Sequence, residues 1–193
     1  MSATIADLSE SAARQQRKNN RQLLKRLTRL KHERAELRWT QIGAFHDIDA
    51  YRMFLRTMLD IHDRFGGPAT RVVPMEHHVW ERERASALRI DLQIKPAMSD
   101  PHSSAPMEKD FAWGVLYVLN GSAMGAAMLL NSNAINADWP TAYLEVMCEF
   151  ARSGALGAFF RSLNDAEVQL GQVARGAEAV FDAVVGMDVS TRA

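Results

Sequence analysis

Apolar residues recur every three or four positions along most of this chain, and few glycines or prolines interrupt them. This spacing is typical of amphipathic α-helices, and no segment alternates as a half-buried strand does. The pattern predicts helices over 12–39, 48–65, 75–93, 108–130, 140–152, 158–163 and 167–185. We therefore expect an all-α fold, a single-domain irregular helical bundle without internal repeats.

Local signals set several of the expected helix boundaries. Two glycines and a proline at 66–68 predict the end of the second helix. Three prolines within 95–106 predict a loop. The segment 75–93 is dense in alternating charges, which indicates a half-exposed helix. Its inward-facing positions are expected to be Val79, Leu88 and Leu92.

The bulk composition is that of an ordinary globular domain. Of the 193 residues, 47% are hydrophobic and 24% are charged, as is usual for folded proteins. We expect a flexible N-terminal lead-in over 1–19, one helical domain over 20–187 and a tail over 188–193.

Several features favour a cytoplasmic protein with no membrane partner. The longest apolar window, 111–130, contains Asn120 and Ser122, so we predict no membrane span. Residues 1–20 lack the apolar core and the cleavage site of a signal peptide. The single cysteine, Cys148, cannot form an internal disulfide or a multi-cysteine metal centre, and we expect a buried core thiol.

Positive charge is concentrated near the N-terminus although the net charge is formally zero. The basic residues of this region are Arg14, Arg17, Lys18, Arg21, Lys25, Arg26, Arg29, Lys31, Arg34 and Arg38. Such a helix could meet an anion or an acidic protein. A nucleic-acid or protein-interaction module is an alternative, but few aromatic residues are interleaved with the charges, and we expect no nucleic-acid partner.

The segment 113–130 is rich in small residues. Gly121 and Gly125 lie one helical turn apart, and each costs up to about 1 kcal/mol relative to alanine inside a helix. With Ala126 and Ala127, they leave one face of the helix nearly free of side chains. Two explanations stay open: a flat ligand lies against the backbone, or another helix packs closely there.

His32 is the most informative histidine because it lies beside the apolar stripe of the first helix. A neutral imidazole is a common axial ligand of haem iron, and Glu36, one turn later, could fix its tautomer. The other histidines lack the spacing of a zinc site and are expected at the surface. They are His46, His62, His77, His78 and His102.

Taken together and in this order, the two segments resemble motifs of the biliverdin-producing haem oxygenases, especially the bacterial type that accompanies bacteriophytochromes. The pattern LKxxTxxxHxxxE over 24–36 is similar to the proximal-helix motif of that family. The sequence YVLNGSAMG over 117–125 is similar to its distal-helix motif, usually YVLEGSxLGG. Between them, RxxxLxxDL over 84–92 resembles a further family segment, and the likeness extends over about 23–187.

The resemblance implies an enzyme that cleaves haem to biliverdin, carbon monoxide and ferrous iron, with haem between the proximal and distal helices. His32 would be the axial iron ligand, while Gly121 and Gly125 let the distal backbone approach bound dioxygen. Ser122 lies where the family organises the water that delivers protons. The remaining haem-binding positions that the resemblance implies are Lys25, Tyr117 and Arg161.

The resemblance also implies partners. Electrons must come from outside, and the basic first helix suits an acidic donor such as a ferredoxin. A bacteriophytochrome is a candidate acceptor of the biliverdin.

Three departures from the family pattern matter for activity. Asn120 replaces the usual glutamate, Ala126 replaces the second glycine of a Gly-Gly pair, and a basic residue expected near Gly157 is absent, for which Arg161 or Arg152 could substitute. We expect the Ala126 methyl to lift or tilt the distal helix away from haem. A non-catalytic haem carrier or sensor on the same fold is therefore the alternative function.

Overall fold

The computed structural model describes residues 20–73, 76–95, 107–132 and 134–186. All regular structure in these ranges is helical, so the expected all-α class is confirmed for them. The helices are α1 (Asn20–Leu27), α2 (Arg29–Gln41), α3 (Ile48–Ile61), α4 (Gly67–Thr70), α5 (Glu76–Asp91), α6 (Lys109–Gly121), α7 (Ala123–Asn131), α8 (Ala142–Arg152), α9 (Ala155–Asp165) and α10 (Leu170–Val185). The predicted lead-in, the loop prolines and the tail lie outside the described residues.

Two of the predicted helices are each divided into two shorter helices by a single residue. At Thr28, between α1 and α2, the helical bonding continues: the Thr28 N–H donates to the Leu24 carbonyl at 2.9 Å and the His32 N–H donates to the Thr28 carbonyl at 3.0 Å. Ser122 separates α6 from α7 in the same way, and its N–H donates to the Val118 carbonyl at 3.0 Å.

The predicted end of the second helix at 66–68 is wrong. A π-helical turn, His62–Gly66, follows α3 and leads directly into α4, which ends at Thr70. Gly66 does not end the helix. Its lack of a side chain lets Glu81 pack against the backbone, because a Cβ at this residue would lie 1.7 Å from a carboxylate oxygen of Glu81. Pro68 is tolerated because it occupies the first turn of α4.

The other boundaries fall within a few residues of the prediction. The largest differences are at α9, which begins three residues early at Ala155, and at α10, which begins three residues late at Leu170. Gly154 precedes α9 with φ of 85°, a left-handed conformation that glycine adopts without strain.

α6 and α10 form the closest helix pair at the centre of the fold. An added Cβ at Gly114 would lie 1.8 Å from the Val173 carbonyl, and one at Gly176 would lie 2.0 Å from the Phe111 carbonyl. The Gln169 N–H donates to Asp110, one turn before Gly114, at 2.8 Å. Asp110 and Gln169 lie at the starts of α6 and α10, and Gly114 meets Ala177 further along both helices, so α6 and α10 run in the same direction.

Side-chain caps fix several helix starts. Asp47 accepts bonds from the first turn of α3, and Glu108 does the same for α6. Asp91, at the end of α5, accepts bonds from the N–H groups of Ala142 and Tyr143 at 2.9 Å each, and so caps α8 from another element. Burial raises the pKa of Asp91 above its usual range.

Burial confirms some expected core positions and corrects others. Cys148 and Leu88 are buried as predicted, whereas Val79 is 49% exposed. The run Lys109–Asn131 is long and apolar enough to cross a membrane by length and composition alone. Core helices meet the same criterion, and this run packs on α8 and α10.

Candidate functional site

His32 lies on α2 with more than half of its side chain exposed. Its ring meets the edge of Phe181 on α10 at a centroid distance of 5.6 Å. Its Nδ1 lies 3.4 Å from a carboxylate oxygen of Glu36, one turn further along α2. The geometry therefore allows Glu36 to hold one ring nitrogen while the other stays free to bind a ligand.

Tyr117 links the proximal and distal segments. Its half-buried hydroxyl interacts with Thr28, one turn before His32, and burial raises its pKa. Its ring packs on Phe160 of α9 at 6.3 Å, and the Arg21 guanidinium covers the same phenylalanine at 3.9 Å. The interaction between Tyr117 and Thr28 places the α1–α2 junction against the middle of α6.

Gly121 and Gly125 face open space. A Cβ added at either residue would meet no described atom within 4 Å. Met124 and Met128 flank them, with exposures of 57% and 67%. No described helix packs there, so close helix packing does not explain these glycines; it occurs instead at Gly114. We call the surface formed by Gly121, Met124, Gly125 and Met128 the open face.

His32 lies at the level of the turn of α6 at whose end the open face begins. Gly114 abuts Ala177, and the two helices that carry them run in the same direction. Phe181, which contacts His32, follows Ala177 by one turn, so His32 lies level with the last turn of α6. That turn ends at Gly121.

The other expected binding residues are at the surface. Lys25 and Arg161 are exposed and lie on α1 and α9, the two helices that flank Tyr117. Ser122 is exposed at the α6–α7 junction, and its hydroxyl donates to the Leu119 carbonyl at 2.8 Å.

Two departures from the family motif point away from the open face. Asn120 is 2% exposed and Ala126 is 5% exposed. The Ala126 methyl is therefore buried against the core, on the side of α7 opposite Met124 and Met128, and does not form part of the open face.

A network of buried polar residues lies on the core side of the α6–α7 junction. His62 is fully buried, with Nδ1 2.6 Å from Glu81 and Nε2 3.3 Å from the Tyr143 hydroxyl. Tyr143 in turn interacts with Ser122, and burial raises its pKa. Burial alone would raise the pKa of Glu81, but His62 and Arg84 lower it overall.

Arg84 completes this network from α5. Its Nη1 donates to the Asn120 side-chain carbonyl at 2.7 Å, and its guanidinium lies 4.3 Å from the ring centroid of Phe150. Burial lowers the pKa of Arg84. This network was not predicted, because His62 was expected at the surface and the charges of α5 on a half-exposed face. His46 is exposed as expected.

An open groove of about 550 Å³ lies elsewhere, between the end of α7 and α8. Its lining includes Leu130, Glu149 and Cys148, and burial raises the pKa of the Cys148 thiol. Of the expected site residues, Arg152, the alternative to Arg161, lines this groove. No group of three or more metal-ligating side chains occurs within the described ranges.

No family model, curated protein or solved structure matches this chain. The functional assignment therefore depends on the motifs and on the geometry of the open face.

Proposed function

We propose that this protein is a haem oxygenase whose substrate, haem, binds between α2 and the α6–α7 helix. The observation that carries the proposal is the open face. It consists of two glycines and two exposed methionines on a helix that buries Ala123 and Ala126 in the core. Exposing this surface is costly unless a flat apolar ligand covers it.

The residues around the open face fit haem chemically. His32 supplies an imidazole, and Glu36 can hold its Nδ1 so that Nε2 is the free ligand atom. Lys25 and Arg161 supply positive charge for the propionates, with Tyr117 at the base of the site. Gly121 and Gly125 leave room above the ring for dioxygen.

The proposed reaction is the oxidative opening of haem to biliverdin, carbon monoxide and ferrous iron. It requires dioxygen and electrons, which the proposal assigns to an external donor such as a ferredoxin. The proposal gives Ser122, which is exposed at the α6–α7 junction, the role of orienting water. The same proposal implies a cytoplasmic enzyme that could supply a bacteriophytochrome.

The position of Asn120 and Ala126 supports an oxygenase over a haem carrier. Both residues depart from the family motif, but both are buried behind the helix. The surface that would meet haem and dioxygen therefore keeps its two glycines and Ser122.

The test is a haem titration followed by turnover. We would load the purified protein with one equivalent of haemin, record the absorption spectrum, and add a ferredoxin reducing system in air. We expect a histidine-ligated Soret band that decays as the broad red absorption of biliverdin appears. The same experiment uses His32→Ala, which should lose this ligation, and His46→Ala as the exposed-histidine control.

The outcomes separate the candidate functions. A Soret band that persists under reduction in air would identify a haem carrier or sensor. No Soret band, or an unchanged spectrum for His32→Ala, would exclude His32 as the axial ligand and contradict the proposed site.

A further inference from the structure

The core contains a cluster of buried polar atoms without protein partners. Glu81 Oε2, Arg84 Nε, Arg84 Nη2 and Asn120 Nδ2 have no hydrogen-bond partner among the described residues. They belong to one site, because Arg84 Nη1 lies 2.7 Å from Asn120 Oδ1 and 3.8 Å from Glu81 Oε2. Buried polar groups of native proteins are almost always satisfied, so these atoms indicate a small polar ligand.

The free atoms favour water over an anion. Arg84 offers one edge of its guanidinium and Asn120 offers its amide N–H groups, all of which are donors. Glu81 Oε2 is an acceptor in the same cluster. A water molecule accepts from the donors and donates to the carboxylate, whereas an anion would be repelled by Glu81.

The cluster is attached to the α6–α7 junction at two points. Asn120 lies in the last turn of α6 and accepts the bond from Arg84. At the second point, Glu81 bonds His62, His62 bonds the Tyr143 hydroxyl, and Tyr143 interacts with Ser122. The junction residue is therefore held from the core by groups on α5, α8 and the π-helical turn.

We propose that Glu81, Arg84 and Asn120 bind ordered internal water, and that the hydrated cluster positions the α6–α7 junction. The bound water satisfies the guanidinium edge, so Arg84 stays fixed over Phe150 and holds Asn120. Through His62 and Tyr143, the same cluster fixes the position of Ser122 at the surface. The proposal concerns the haem-free protein and does not depend on the proposed function.

The first measurement is by nuclear magnetic resonance on the haem-free full chain. We expect rotating-frame Overhauser peaks between long-lived water and both the Arg84 Nε–H and the Asn120 amide protons. The exposed Arg56 should show no such peak. Titration with sodium chloride and with sodium formate should leave the Arg84 Nε–H resonance unchanged.

The second measurement is amide hydrogen exchange in Arg84→Met and Tyr143→Phe, with Arg56→Met as the exposed control. Amides of 122–126 should exchange at least about tenfold faster in both core variants, while those of α10 keep the wild-type rate. Tyr143→Phe removes one hydroxyl, so it should accelerate exchange at the junction and leave the water peaks of Arg84 in place. The Tyr143→Phe variant therefore tests whether the cluster positions the junction even if Arg84→Met does not fold.

Each contrary result overturns a stated part of the proposal. Absence of water peaks at Arg84 and Asn120 would show a dry cluster. A saturable shift with chloride or formate would identify an anion site. Equal acceleration of 122–126 and α10 in Tyr143→Phe would show general destabilisation without positioning.

Discussion

At the scale of single residues, the glycines of α6 and α7 have different roles. At Gly114 an added Cβ would lie 1.8 Å from the Val173 carbonyl, whereas at Gly125 it would meet nothing within 4 Å. Alanine favours a helix over glycine by up to about 1 kcal/mol. We therefore expect Gly125→Ala to raise the free energy of unfolding of the haem-free protein by that amount, and Gly114→Ala to lower it by about 1–3 kcal/mol.

Urea denaturation of both variants under the same conditions checks this difference. Gly186, near the C-terminal end of the described chain, is unsuitable as a control because an added Cβ would lie 3.1 Å from the Asp182 carbonyl. Gly171 is a better control, since its added Cβ meets no described atom within 4 Å. Destabilisation by Gly125→Ala would mean that part of the protein packs on the open face.

A larger side chain at Gly125 should separate folding from haem binding. Gly125→Leu adds bulk to a site with open space, and leucine, like alanine, favours a helix over glycine, so the haem-free protein should be at least as stable as wild type and up to about 1 kcal/mol more stable. If haem covers the open face, the same leucine should weaken haem binding at least about tenfold, because the ring can no longer approach the backbone. Haemin titration followed by the Soret band measures the dissociation constant, with Gly171→Leu as the control.

At the scale of elements, Glu81 ties α5 to the π-helical turn and should make stability depend on pH. Its pKa in the folded protein is below its usual 4.5. A carboxyl with a lowered folded-state pKa stabilises the fold above its usual pKa, and this contribution is lost as the pH falls toward the folded-state value. We expect Glu81→Gln to destabilise by at least about 3 kcal/mol near pH 7, since Arg84 loses its charge partner.

Urea denaturation between about pH 7 and about pH 3 tests the sign. The wild-type and Glu81→Gln stabilities should converge as the pH falls, because the variant has no carboxylate to protonate. Asp91 has a raised pKa and contributes in the opposite sense, since its contribution declines as the pH rises. A constant difference between wild type and Glu81→Gln over this range would contradict the role given to Glu81.

The helix pattern could be read from the sequence because burial follows the helical period, but α5 shows the limit of charge patterning. Its alternating charges predict an exposed face. In the structure, Glu81, Arg84, Leu88 and Asp91 are all buried on one side, at spacings of three and four residues. The spacing of that stripe is visible in the sequence. Its charged residues are buried because they bond to groups distant in sequence, and these groups are His62, Asn120 and the start of α8.

For the expected site residues too, helical periodicity predicted some features, and others depend on contacts distant in sequence. Helical periodicity placed Gly121 and Gly125 on one side of the helix, and the structure shows open space at both. The expected side-chain-free face is only partly present, because Met124 and Met128 flank the glycines and Ala126 is buried. Periodicity alone did not show which side of α7 faces the core. The level of His32 relative to Gly121 could not be predicted, since it is set by the register of α6 on α10.

At the scale of the whole molecule, the basic helices α1 and α2 form the surface that we propose for an electron donor. Arg26 and Arg34 are exposed, and neither has an ion-pair partner among the described residues. Leu27 and Leu30 lie near them and are more than half exposed. Apolar side chains surrounded by positive charge suit a partner that is acidic and partly apolar.

The double charge reversal Arg26→Glu and Arg34→Glu should therefore slow electron delivery and leave haem binding intact. Such reversals act mainly on the association rate, and we expect the second-order rate of biliverdin formation with an acidic ferredoxin to fall at least about tenfold at low salt. The loss should shrink as ionic strength rises, because salt screens the exposed charges. Arg56→Glu, on α3, makes the same kind of reversal on another helix and should change the rate little. The double variant changes the net charge twice as much as Arg56→Glu. If Arg56→Glu therefore lowers the logarithm of the rate by half as much as the double variant, net charge and not the α1–α2 surface governs the encounter. An unchanged rate in the double variant would place the donor elsewhere.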